Sequence, residues 1–146
     1  MKAIDQTTIL FTSRSANEGF ARACAACFAA QLDPTLDELA DIKTAVSEAV
    51  TNAIVHAYPD TIGRVTVKLR VREGNLLEIV VKDRGVGIAD VERARTPLFT
   101  TGGEERSGMG FTIMESFMDT LKVRSAPGKG TTVTMGRRIA RRAGRG

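Results

Sequence analysis

Tryptophan is absent from this chain, tyrosine and histidine each occur once, and there are only two cysteines. A structural zinc site needs four ligands, which Cys24, Cys27 and His56 cannot supply. The two cysteines share a helical face with Phe20, Phe28 and Gln31 and are read as buried packing. His56 is read as a core-edge histidine. No apolar run approaches a membrane span, and no basic-then-apolar leader opens the chain, so a cytoplasmic protein is expected. Also missing are internal repeats, the Gly-x-x-x-x-Gly-Lys-Ser/Thr phosphate loop, the protein-kinase His-Arg-Asp signature and the dinucleotide fingerprint. Any nucleotide site here is of another type.

What is present is one domain's worth of ordinary globular sequence: 146 residues, 42% hydrophobic and 26% charged. The formal charge of +4 misdescribes it. Residues 137–146 hold five arginines and no acid, so the remainder carries four less five, or −1. The expected division is a folded domain over 1–136 and a basic, disordered, solubilising tail over 137–146.

The stretch 41–58, DIKTAVSEAVTNAIVHAY, has the clearest period. Ile42, Ala45, Val46, Ala49, Ala53 and Ala57 recur as one face of a helix. Glu48 and Asn52 stand four apart on its flank, a carboxylate and a carboxamide suited to accepting a proton and holding a hard cation. Taken alone, the pair reads more readily as two solvated residues on an exposed flank.

Before this helix come a strand over 7–12 and a helix from 15 to about 31, opened by a capping box of Ser15 and Glu18. Asp33-Pro34 ends it, and a second box, Thr35 with Glu38, opens the next helix, which runs to 57. Strands over 64–71 and 76–82 form a hairpin, followed by the glycine turn Asp83-Arg-Gly85-Val-Gly87. A short helix over 89–94, a lid-like loop over 96–107, a helix over 111–119 opened by Gly108-Met109-Gly110, and strands over 121–125 and 131–135 complete the order. The fold class expected is α+β: a two-layer α/β sandwich with a mixed, mostly antiparallel sheet and helices on one face.

Three features suit a nucleotide. Asp83 at a strand end can accept from an exocyclic amine, Gly85 and Gly87 let a flat base approach the backbone, and Gly108 and Gly110 offer bare amides at a helix start. With Glu48 and Asn52 they form the set SEAVTNAIVHAY, DRGVGI, RSGMGFTIMESFMD and GTTVTM. In order and spacing this set resembles the N box, both glycine boxes and the closing strand of the GHKL (Bergerat-fold) ATPases, a superfamily that includes histidine kinases and gyrase. Over about residues 5–136 the chain resembles more closely the anti-sigma F family of sporulation serine-protein kinases, through NEGFAR, QLDPTLDELADIKTAVSEAVTNAI, PLFTT and SGMGFTIMESFMD.

That resemblance implies a role for each matching position. Glu48 matches a general base, Asn52 a Mg²⁺ ligand, Asp83 the contact to the adenine amine with Gly87 beside the ring, and Thr131 a neighbour of that aspartate. Gly108 and Gly110 match phosphate-cradling glycines, Arg106 an arginine reaching the terminal phosphate, and Arg22 a residue contacting protein partners. Gly85, Thr100, Thr101, Ser107 and Met109 complete the implied nucleotide contacts. Ala57 stands where the family has glycine. The resemblance further implies ATP or ADP with Mg²⁺, a homodimer, a sigma factor of the F type held inactive, and an anti-anti-sigma partner phosphorylated on serine. No direct DNA or membrane binding is expected. The alternatives are an anti-sigma B type stress-response kinase and a nucleotide-gated sigma-binding module without kinase activity.

Overall fold

The computed structural model describes residues 3–96 and 105–140, and within them every side chain except those of 105–108. A five-stranded sheet runs in the order β1-β2-β3-β5-β4, built from β1 (Asp5–Thr12), β2 (Arg64–Arg72), β3 (Leu76–Asp83), β4 (Thr120–Ala126) and β5 (Gly130–Arg138). All four described pairings are antiparallel, so the parallel component of the expected mixed sheet is absent among the described residues. Alternation sets the two faces. Val65, Val67 and Leu69 face Ile79 and Val81 on the inner side, and Val133 and Met135 continue that layer.

The helices α1 (Ala16–Ala29), α2 (Leu36–Thr51) and α4 (Glu105–Phe117) cover the inner face, with the short α3 (Val91–Arg95) between β3 and α4 in the chain. Helix α2 is the centre of that layer, burying Ile42, Ala45, Val46, Ala49 and Val50. Its start is the expected capping box: Glu38 N donates to Thr35 Oγ1 at 3.0 Å and Thr35 N to Glu38 Oε1 at 2.8 Å. At the other end the helix does not continue as α to residue 57. From Asn52 to His56 it widens into a π turn, closed by Ala57 N donating to Asn52 O.

Other expectations need correction. Ser15 itself lies in the α region and makes no side-chain cap bond. Its hydroxyl therefore cannot fold over the first turn as an extended cap residue's would. Glu18 is drawn instead into contacts with Arg22 and Ser47. The cysteines are not core: α1 buries Ala21, Ala25 and Ala29 against α2, leaving Cys24 half-buried and Cys27 exposed. Alanines at four-residue spacing let the helices approach closely, and the larger side chains rotate outward. Phe20, on that outer face, is 50% exposed and meets Phe11 edge-on.

Helix α4 starts at Glu105, six residues before the expected position, so 105–107 are helix rather than lid; residues 97–104 lie outside the described residues. An acidic residue type is favoured in a first helical turn. Strand β5 runs through Arg138, past the expected boundary at 136. Arg137 binds Asp41 and the carbonyl of Phe117, Ile139 is 1% exposed, and Ala140 N donates to Glu38 Oε2.

Candidate functional site

Between α2, the π turn, the ends of β3 and β5 and helix α4 lies a cavity of about 190 Å³. Its helical wall is built of small residues: Ala49, Ala53 and Ala57 are spaced by four and leave a flat surface beside Asn52 and His56. The opposite wall comes from Val81, Val133, Phe111 and Ile88. Asp83 and Thr131 form the floor and Gly87 the rim. Of the residues singled out in the sequence, Asn52, Asp83, Gly87 and Thr131 thus share one apolar, flat-walled chamber with a single carboxylate at its base, and such a chamber suits a planar heterocycle that offers a hydrogen-bond donor.

Asp83 is 6% exposed. Its Oδ1 accepts from Gly85 N at 2.9 Å and Thr131 N at 3.2 Å. Burial pushes the carboxyl above its ordinary value, and the two backbone donors only partly offset that. Thr131 is held by Ser125, whose hydroxyl lies 2.7 Å from that of Thr131 and accepts from Ile88 N at 2.7 Å. Sequence reasoning passed over Ser125, since a lone serine near a strand end gives no signal. It also treated Tyr58 only as a helix stop. In the structure the Tyr58 hydroxyl donates to Arg64 O and accepts from Arg84 N, tying the end of α2 to the strand pair that carries Asp83.

The turn after β3 requires its glycines. Gly87 has φ +77° and Gly130 has φ +90°, and a Cβ at either would overlap backbone, the carbonyl of Ala126 or that of Asp83. Gly85 does not line the cavity. It packs on the carbonyl of Ala57 with no room for a Cβ, so it serves the turn and Asp83 rather than touching a base directly.

Helix α4 crosses α2 at Gly110. A Cβ there would stand 3.2 Å from Asn52 Nδ2, 3.3 Å from Glu48 Oε2 and 3.4 Å from Asn52 Oδ1. The missing side chain therefore brings the α4 backbone onto the Glu48–Asn52 pair. Gly110 lies in the second turn of α4, not at its opening as expected, because the helix begins at Glu105. Gly108 and the backbone of Arg106 and Ser107 lie in the first turn. Met109 is exposed, and Thr100 and Thr101 fall outside the described residues. Arg22 lies away from the cavity on α1, bound to Glu18 at 3.0 Å and to Ser47 at 3.4 Å, one residue before Glu48.

No group of three or more His, Cys, Asp or Glu side chains gathers among the described residues. A magnesium ion does not need one, since it keeps waters and takes phosphate oxygens. The donor set fits it. Asn52 Nδ2 is buried with no hydrogen-bond partner among the described residues; as an N–H donor it suits an anionic phosphate oxygen rather than the cation. A hard carbonyl oxygen is available on the same group.

The chain matches the family model described as the histidine kinase-like ATPase domain over residues 11–137. It is 57% identical over 136 residues to the anti-sigma F factor of Thermoanaerobacter pseudethanolicus, covering 92% of this chain and 94% of the relative. With the anti-sigma F factor of Geobacillus kaustophilus it shares 57% over 133 residues, 90% of either chain. Among solved structures, the RsbU and RsbW domains of a Mycobacterium tuberculosis protein superpose with a TM-score of 0.69 at 21% identity, covering 95% of this chain and 33% of that one. A blue-light activated histidine kinase from Erythrobacter litoralis gives 0.58 at 22%, covering 80% and 40%. At such identities the structures establish the fold alone.

Proposed function

The chain belongs to the histidine kinase-like ATPase family and within it to the anti-sigma F factors, and on that premise we propose that it is a serine-protein kinase that holds a sigma factor of the F type inactive. It is an ATP-using domain of the kinase type. In this reading its phosphoryl acceptor is a serine of an anti-anti-sigma factor, and the working form is a homodimer. The observation that carries the proposal is the approach of Glu48, Asn52 and the Gly110 backbone at one point beside a cavity floored by Asp83.

The residues divide the work as follows. Asp83 accepts from the adenine amine through the oxygen its backbone donors leave free. The alanine wall and Gly87 take the ring faces. Asn52 would hold Mg²⁺, which would supply neutralisation of the phosphate charge when bound. The first-turn amides of α4 take the terminal phosphates, and the family resemblance gives Arg106 the same partner. Glu48 takes the proton of the serine hydroxyl as its oxygen bonds to the γ-phosphorus. The bond from that phosphorus to the bridging oxygen breaks, and its electron pair leaves with ADP.

The test is transfer of label from γ-labelled ATP, with magnesium, to the anti-anti-sigma factor. Glu48→Gln is expected to slow transfer by about 10²–10⁴-fold while leaving nucleotide binding in place. Undiminished transfer by Glu48→Gln would remove the base from this reading. A sigma complex that forms with ATP but yields no phosphoserine with the unaltered chain would assign the protein to the non-kinase alternative.

A further inference from the structure

The outer face of the sheet has no layer over it among the described residues, and its charge is strongly one-sided. Arg64 and Lys68 on β2, Lys82 on β3, Arg84 just past its end, and Lys122 and Arg124 on β4 all lie on this face and are exposed. None of these six forms an ion pair among the described residues. The acid on this face, Glu78, is already held by Arg70 at 2.9 Å and Arg72 at 3.1 Å. The imbalance does not come from overall composition. Helices α1 and α2 carry the acids Glu18, Asp37, Glu38, Asp41 and Glu48 against only Arg22 and Lys43, so the two layers are oppositely charged.

Across the β1–β2–β3 end the face is concave. A groove of about 340 Å³ is lined by Leu10, Arg64, Thr66, Lys68, Lys82 and Arg84. Leu10, Thr66 and Lys82 lie in register side by side across three strands, which places an aliphatic side chain 58% exposed to solvent about 10 Å from an ammonium group's strand. A row of this kind, apolar at the sheet edge and cationic further in, is complementary to an extended segment that carries an aliphatic side chain and several carboxylates on the same face.

We propose that this open face docks an extended acidic segment of a partner protein, with an aliphatic side chain of that segment seated on Leu10 and its carboxylates over Lys68, Lys82, Arg64 and Arg84. Nucleic acid fits less well. The strands present no aromatic ring to this face for a base to stack on, and Leu10 has no counterpart on a phosphate backbone. The surface lies on the side of the sheet away from the nucleotide cavity, so the inference stands apart from the catalytic reading.

The experiment measures fluorescence anisotropy of a labelled peptide, DELDELDE, with the full chain at about 0.1 M salt, where surface charges still act over about 10 Å. The unaltered chain is expected to bind it, Lys68→Glu/Lys82→Glu to weaken binding at least about tenfold, and Leu10→Ser about threefold. Adenine-nucleotide binding and the melting temperature serve as folding controls. Should the double variant fail them, Arg64→Glu/Arg84→Glu, the other two cations of the groove, is read in its place, with the same expected loss. Four results would overturn the proposal: no peptide binding, peptide binding indifferent to the charge reversals, tighter face-dependent binding of a short duplex DNA, or a fall in sedimentation coefficient on charge reversal. The last two would assign the face to DNA or to a second copy of the chain.

Discussion

At the scale of single residues, Asp83 shows how a site is kept at a cost to stability. A carboxyl raised above its ordinary value binds its proton more tightly when folded than when unfolded. The contribution to stability is therefore complete below the unfolded value and is lost as pH rises through the folded one. Asp83→Asn should raise the melting temperature relative to the unaltered chain near neutral pH, and the difference should vanish in acid; thermal melts between about pH 3 and about pH 7 would show it. The same change should weaken adenine-nucleotide binding by about tenfold or more in calorimetry. The backbone amides of Gly85 and Thr131 would keep the amide oxygen, leaving its NH₂ facing the amine of the base, donor against donor. A variant that is no more stable at neutral pH, or that binds nucleotide as before, would contradict the account of this floor.

Among the elements, α2 depends on its capping box, and here the outcome can be compared with what the sequence allowed. Thr35→Ala should lower stability by about 0.5–2 kcal/mol in denaturant titration, without moving the cavity residues, which begin about four turns away at Ala49. Its box was legible because both partners lie within one turn and Pro34 fixes the approach. The matching pattern at Ser15 and Glu18 failed for a reason no local rule contains: Ser47, twenty-nine residues on, takes the Glu18 carboxylate at 2.7 Å. Glu48, Asn52, Asp83 and Gly87 could be singled out as candidates for the opposite reason, since each lies at an element end or on a periodic flank, whereas Thr131 was singled out only through the family resemblance. The cysteines misled because Phe20 and Phe28 look like core formers, whereas the α1–α2 contact is made by alanines too small to give a hydrophobic signal. The early start of α4 escaped notice because Gly108 and Gly110 read as a helix opening, while in the second turn a glycine is needed for clearance over Glu48 and Asn52.

For the molecule as a whole, the last strand and its extension close the domain. Ile139 is buried, and Arg137 reaches across to Asp41 on α2. Truncation after Ala140 should leave the melting curve unchanged, whereas truncation after Gly136 should cost at least the about 1.5–3 kcal/mol of an isoleucine's burial. Equal curves for the two truncations would show that residues 137–140 add nothing to the fold. Both halves of the nucleotide chamber, the helical wall and the strand-end floor, are joined directly by Tyr58, whose hydroxyl bridges Arg64 O and Arg84 N. That post stands just past the widened winding at Asn52–His56. Winding these same five residues as ordinary α-helix would swing everything after them by about 100°, aiming the phenol away from both strands. The chain can therefore take an extra residue in the surface stretch 59–63 more readily than between the asparagine and the tyrosine, where one more would turn the ring that follows by that angle.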